Sequence, residues 1–161
     1  MMRKSVKHAD LPYKLRSLIT SDLQKHSSKS LKSDVLLLDD CDLQRLVISG
    51  LLKELGLSST CVDSISAAIP YLAFLTQDKL IISDIELAGG SGFEFIKLVR
   101  THHKNIHIPS IAISSNSSYA VDAIKAGFDA FLTKPISKES LAKILTTFGF
   151  NVEPKKYFKL I

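Results

Sequence analysis

Between residues 34 and 148 the chain alternates between two hydrophobic periods. Five short apolar runs have the length and branched character of buried strands: 34–39 (DVLLLD), 59–62 (STCV), 79–84 (KLIISD), 109–114 (PSIAIS) and 129–132 (DAFL). Between them lie stretches whose pattern predicts helices: 42–55 through Leu43, Leu46, Val47, Leu51 and Leu55; 64–75; 92–103 through Phe93, Ile96 and Val99; 117–126; and 138–148. Gly56 and Gly127 stand where helix stops belong. Five strand–helix pairs predict an α/β body, a doubly wound five-stranded parallel sheet covered on both faces. Upstream, 10–25 (DLPYKLRSLITSDLQK) sets Leu11, Leu15, Leu18, Ile19 and Leu23 at helical spacing. Asp10 can cap that helix, and Pro12 is tolerated in its first turn. HSSKSLKS at 26–33 reads as a polar linker. The chain therefore divides into an extension (1–32), a body (33–149) and a tail (150–161).

Composition adds limits. Hydrophobic residues make up 45% of the 161, enough for a core. No apolar run approaches the roughly 20 residues of a membrane helix, and the N-terminus lacks a signal-peptide core. Cys41 and Cys61 form neither a disulfide framework nor a metal motif. A soluble, cytoplasmic protein without membrane insertion is expected. The net charge of +5 is unevenly placed: residues 1–32 hold eight Lys/Arg against two acids, residues 33–150 ten against thirteen. A basic arm can bind nucleic acid or an acidic surface. No base-reading motif accompanies it, so nucleic acid is not the expected partner.

Ligands of open α/β sheets bind beyond the carboxyl ends of the strands. The first strand ends in Asp39 and Asp40, the third in Asp84, the fourth in Ser114 and the fifth in Lys134, followed by Pro135. Taken singly, each has an ordinary reading: Asp40 as a helix cap, Ser114 as a loop hydroxyl, Lys134 as a solvated amine, Phe131 as core. Together at four strand ends they suit a hard divalent cation, which relieves carboxylate repulsion. With a hydroxyl and an amine beside it, the set suits phosphoryl transfer, with Asp84 on the central strand as acceptor.

Segment 34–148 resembles the receiver domains of response regulators, which have the chemotaxis-type, flavodoxin-like (βα)₅ fold with strand order 2-1-3-4-5. The resemblance rests on LLLDDCDLQR, LIISDIELAGGSGFEFIKLVR, PSIAISS and AIKAGFDAFLTKPIS. It implies that Asp39, Asp40, Asp84 and the backbone carbonyl of Glu86 hold Mg²⁺. It further implies that Asp84 accepts a phosphoryl group from a sensor histidine kinase or phosphotransfer protein, and that Ser114 and Lys134 hold the phosphoryl oxygens. Phe131 takes the position of the switch aromatic, working with Ser114, and the Lys134–Pro135 bond is expected to be cis. The chain departs from the family in having Leu87 and Ala88 where Met-Pro is usual, in a shorter 114–134 stretch and in a switch aromatic without a hydroxyl.

The tail is too short for an output domain, so a stand-alone receiver signalling to an unknown output protein, without enzymatic turnover, is expected. One rival is a haloacid-dehalogenase-type phosphatase using the Asp-x-Asp at 40 and 42, which lacks an acidic pair after the lysine and gives Asp84 no role. The other is a receiver-like module with a nucleic-acid-binding arm. The apolar stripe of 10–25 is expected to be buried against the face of the fourth helix, fifth strand and fifth helix, or in a homodimer.

Overall fold

A computed structural model describes residues 31–152. The expected helix at 10–25 and the tail beyond Val152 lie outside the described residues. Five parallel strands form the sheet: β1 (Val35–Leu38), β2 (Ser59–Val62), β3 (Leu80–Asp84), β4 (Ser110–Ser114) and β5 (Ala130–Thr133). Their order is β2-β1-β3-β4-β5, as expected for the (βα)₅ fold. The α-helices are α1 (Asp42–Glu54), α2 (Ile65–Ala68), α3 (Gly92–His102), α4 (Ala120–Ala126) and α5 (Lys138–Thr147).

The sheet separates two apolar layers. Leu36, Leu38, Ile81 and Ala112 face one, with Phe95, Ile96 and Val99 of α3; Val35, Leu37, Ile82 and Ile113 face the other, with α1 and α5. Leu36, Leu37 and Leu38 are wholly buried, and burying each contributes about 1.5–3 kcal/mol. A strand covered on both faces needs this continuous apolar run. Gly56 (φ 86°) and Gly127 (φ 126°) adopt left-handed backbone just past α1 and α4, as helix stops.

The structure departs from the sequence pattern in four places. The expected helix 64–75 is one α-turn followed by a 3₁₀ segment, Ile69–Phe74, because Pro70 supplies no N–H for an α-helical bond. The helix at 117–126 likewise begins with a 3₁₀ turn, Ser117–Tyr119, where Asn116 accepts from Ser118 N at 3.0 Å. In α1 the buried residues are Ile48 and Leu52, with Leu55 at its end, whereas Leu43, Leu46 and Val47 are exposed. Finally, Leu31 is buried in the core, and Phe150 and Val152 pack against the α1/α5 layer, so the packed body extends past both 33 and 149. Both cysteines are free and exposed. Among the described residues no helix is long and apolar enough to cross a membrane.

Candidate functional site

The parallel register brings the polar strand ends to one edge. Leu38 lies beside Ser83, and Asp84 beside Ile113, so Asp39 and Asp84 emerge from neighbouring strands. Carboxylate oxygens of Asp39, Asp40 and Asp84 all lie within 4.8 Å of one another. Asp39 is wholly buried and Asp84 only 5% exposed. Lys134, carried in beyond β5, places Nζ 2.9 Å from Asp39 Oδ2 and 2.9 Å from Asp84 Oδ2. Burial alone would push this amine down, but its hydrogen bonds to Asp84 and Asp39 outweigh that and hold it above its ordinary value. Burial raises the Asp84 carboxyl above the usual carboxylate range, with Lys134 opposing and the Asp39 charge adding to the rise.

Backbone donors fix the remaining oxygens. Asp39 Oδ1 accepts from Cys41 N at 2.9 Å, and Asp84 Oδ1 from Glu86 N at 3.2 Å. Asp40 is exposed, and its Oδ2 accepts from Ala88 N at 2.8 Å, tying the hairpin of Glu86–Leu87 and Gly90–Ser91 to the acid pair. Asp40 is therefore not the cap of α1, whose N-cap position belongs to Cys41. The backbone that lost the usual Met-Pro is held by this bond instead. Ser114 is buried; its Oγ accepts from Asn116 N at 3.0 Å and its carbonyl from Lys134 N at 2.9 Å, so β4 and the lysine are set together. The Lys134–Pro135 bond is cis, as expected. Phe131 lies beside Ala112, partly buried against the α3 layer.

Two contributors escaped the sequence reading. Arg45 donates to the Asp39 carbonyl at 2.7 Å and pairs with Asp42. Gly92, at the start of α3, donates to the Ile85 carbonyl at 2.8 Å. A Cβ there would stand 2.3 Å from the Asp84 carbonyl oxygen and 3.0 Å from Ile85 Cα. Only glycine allows this helix to start so close to the strand end. Gly92→Ala should therefore lower stability by roughly 1–3 kcal/mol, read as a lower urea midpoint. An unchanged midpoint would show that the α3 start shifts freely.

Three carboxylates and a bridging amine thus meet at the carboxyl edge of a doubly wound α/β sheet. The chain belongs to the response regulator receiver domain family, whose model matches residues 35–146. It is a phosphoacceptor response regulator domain. It is 35% identical over 131 residues to 3′,5′-cyclic-nucleotide phosphodiesterase regA of Dictyostelium discoideum, covering 79% of this chain but only 16% of that protein. It is 27% identical to chemotaxis protein CheY of Pseudomonas aeruginosa, covering 68% of this chain and 94% of CheY. The structure of the chemotaxis response regulator CheY4 of Vibrio cholerae superposes with TM-score 0.60 at 27% identity, covering 71% of this chain and 96% of that one.

Proposed function

We propose that Asp84 is the residue that accepts the phosphoryl group, from a phosphohistidine of a sensor kinase or phosphotransfer protein. The observation that carries this reading is Lys134 bridging Asp39 and Asp84 while Asp40 stays open beside them. An Asp84 carboxylate oxygen forms the new O–P bond as the donor's N–P bond breaks, and the imidazole leaves with that electron pair. Lys134, already beside Asp84, offers its charge to the phosphoryl oxygens, and Ser114 at the end of β4 offers its hydroxyl. Phe131 and Ser114 are the residues through which phosphorylation would bias the α4–β5 face.

The donor set fits Mg²⁺: three carboxylates, one of them exposed, and a single bridging amine. Asp39, Asp40 and Asp84, with the Glu86 carbonyl, are the residues that would hold it. When bound, the ion supplies neutralisation of the transferring oxygens. Labelling by a small phosphodonor, lost in Asp84→Asn, tests the acceptor.

The metal reading has its own test. Mg²⁺ at about a hundred times its Kd should add roughly 2.7 kcal/mol of stability by mass action, read as a higher melting temperature. Asp40→Asn keeps an oxygen for the Ala88 N–H but removes a charge from the cluster. Without metal the variant should melt above the wild type, and its Mg²⁺-dependent rise should shrink. A metal-free variant melting below the wild type would instead make the Asp40 charge a structural tie to the hairpin.

Stoichiometric signalling without turnover is the reading we carry forward. The phosphatase alternative needs Asp42 beside Asp40, but the Asp42 side chain is 94% exposed and paired with Arg45, apart from the acid cluster.

A further inference from the structure

β2 stands at the edge of the sheet and, among the described residues, pairs only with β1. An open edge is a template for stray pairing, and proteins blunt it with charge, proline or a covering segment. Ser59–Val62 holds neither a charge nor a proline, whereas β5 at the other edge runs into Lys134 and Pro135. Beside β2 lies an open groove of about 250 Å³, lined by Arg45, Cys61, Val62, Asp63, Ala67 and Tyr71. On its α2 side Ala67, Tyr71 and Phe74 follow one another at helical spacing, so α2 and the 3₁₀ segment present one half-buried apolar stripe.

We propose that the chain's own residues 10–25 cover this groove as a helix, with the Leu11, Leu15, Leu18, Ile19 and Leu23 stripe laid against Ala67, Tyr71 and Phe74. The chain enters the body on this side. Leu31 is buried in the layer of α2 and α3. Ser33 Oγ lies 2.6 Å from Thr60 Oγ1, and Asp34 N donates to Ser58 Oγ at 3.1 Å, so the entry is at the amino end of β2. Residues 26–30 reach about 17 Å even when extended. β5 at the other edge is four strand spacings away, about 19 Å. A helix lying along the strands at that edge would start beyond their reach. The exposed residues of α1 lie across the sheet from Leu31.

Length and charge favour the same occupant. As a helix, residues 10–25 run about 24 Å, and residues 65–74 of the groove wall run about 18 Å. The linker is shorter than that helix, so the end at residue 25 lies near Leu31 and the end at residue 10 points towards the carboxyl edge of β2. Asp63 follows β2 there, exposed, and its carboxylate accepts from Ser64 Oγ at 2.9 Å. Asp40 is exposed at the same edge, and Val62 O accepts from Asp39 N at 3.2 Å, which sets the two loops side by side. Arg45 in the groove is already held by Asp42 and the Asp39 carbonyl. Arg3, Lys4 and Lys7 precede the helix, so this orientation carries positive charge towards Asp63 and Asp40. The docking stands independently of the phosphoacceptor reading.

Hydrogen exchange of the full chain tests this, at two concentrations about a hundredfold apart. The wild type should protect the amides of 11–23 by roughly tenfold or more over an unstructured segment, equally at both concentrations. Leu15→Asp on the segment, and Tyr71→Asp and Ala67→Lys in the groove, should each abolish that protection. Leu46→Asp on α1 and Ile124→Asp on α4 should leave it. Protected amides at 80–84 report a folded body; if Tyr71→Asp loses them, the half-buried Ala67→Lys decides in its place. Free exchange of 11–23 in the wild type overturns the proposal. So does protection that survives the groove variants, that Leu46→Asp or Ile124→Asp removes, or that disappears on dilution, which would indicate a second copy.

Discussion

Given a small-molecule phosphodonor and Mg²⁺, the wild-type protein is expected to gain one phosphoryl group by intact mass, and Asp84→Asn none. The expectation rests on how differently the three acids are held. Asp39 is wholly buried with both oxygens engaged, by Cys41 N and Lys134 Nζ. Asp40 is exposed but spends an oxygen on the Ala88 N–H. Asp84 ends the central strand and is 5% exposed where Asp39 is wholly buried, with its Oδ1 accepting from Glu86 N at 3.2 Å, the longest of these bonds, and its Oδ2 from Lys134. Asn at this position keeps the shape and the acceptor for Glu86 N, but it has no carboxylate nucleophile. The effect should therefore be complete loss, with the fold intact by circular dichroism. Unchanged labelling of Asp84→Asn, or labelling that maps to Asp39 or Asp40, would overturn the assignment.

Much of this site was legible because polar residues interrupt apolar runs at strand ends. Asp84 stops LIISD and Asp39 stops VLLLD, and a parallel sheet must bring such ends to one edge. What periodicity could not decide was which of two overlapping stripes of α1 faces the sheet. Leu43, Leu46 and Val47 satisfy helical spacing as well as Ile48, Leu52 and Leu55 do, yet the two sets lie on opposite sides. Only packing against Leu37 and Val35 selects the second. Backbone roles were equally hidden. The Ala88 N–H and the side-chain-free approach of Gly92 depend on how chain segments meet, and a residue type does not announce either. Arg45 is legible in the sequence as a partner for Asp42 three residues before it, but its bond to the Asp39 carbonyl depends on how the end of β1 meets α1.

Lys134→Met should produce the largest loss of stability. Met keeps much of the aliphatic stem and removes the charge. Among the described residues Lys134 is the one cation bonded to both Asp39 and Asp84, with its side chain 12% exposed. Removing one partner of a buried pair costs roughly 3–5 kcal/mol, because an uncompensated charge stays behind. Partial exposure favours the lower end, so a loss of about 3 kcal/mol is expected at neutral pH without metal. Acid should restore part of it. Burial already raises the Asp84 carboxyl above its ordinary 3.8, and Lys134 opposes that rise. Without the lysine the folded-state value climbs further. The folded protein then holds a proton that the unfolded chain has released, so stability increases as pH falls through the raised value. The gain levels off below the unfolded value of about 3.9. The gap between variant and wild type should therefore narrow from pH 7 towards pH 4. Mg²⁺ should stabilise the variant more than the wild type, since the acids have lost their resident cation. Equal denaturant midpoints at pH 7 without metal would refute the bridging role. A gap that stays constant with pH would reduce Lys134 to packing.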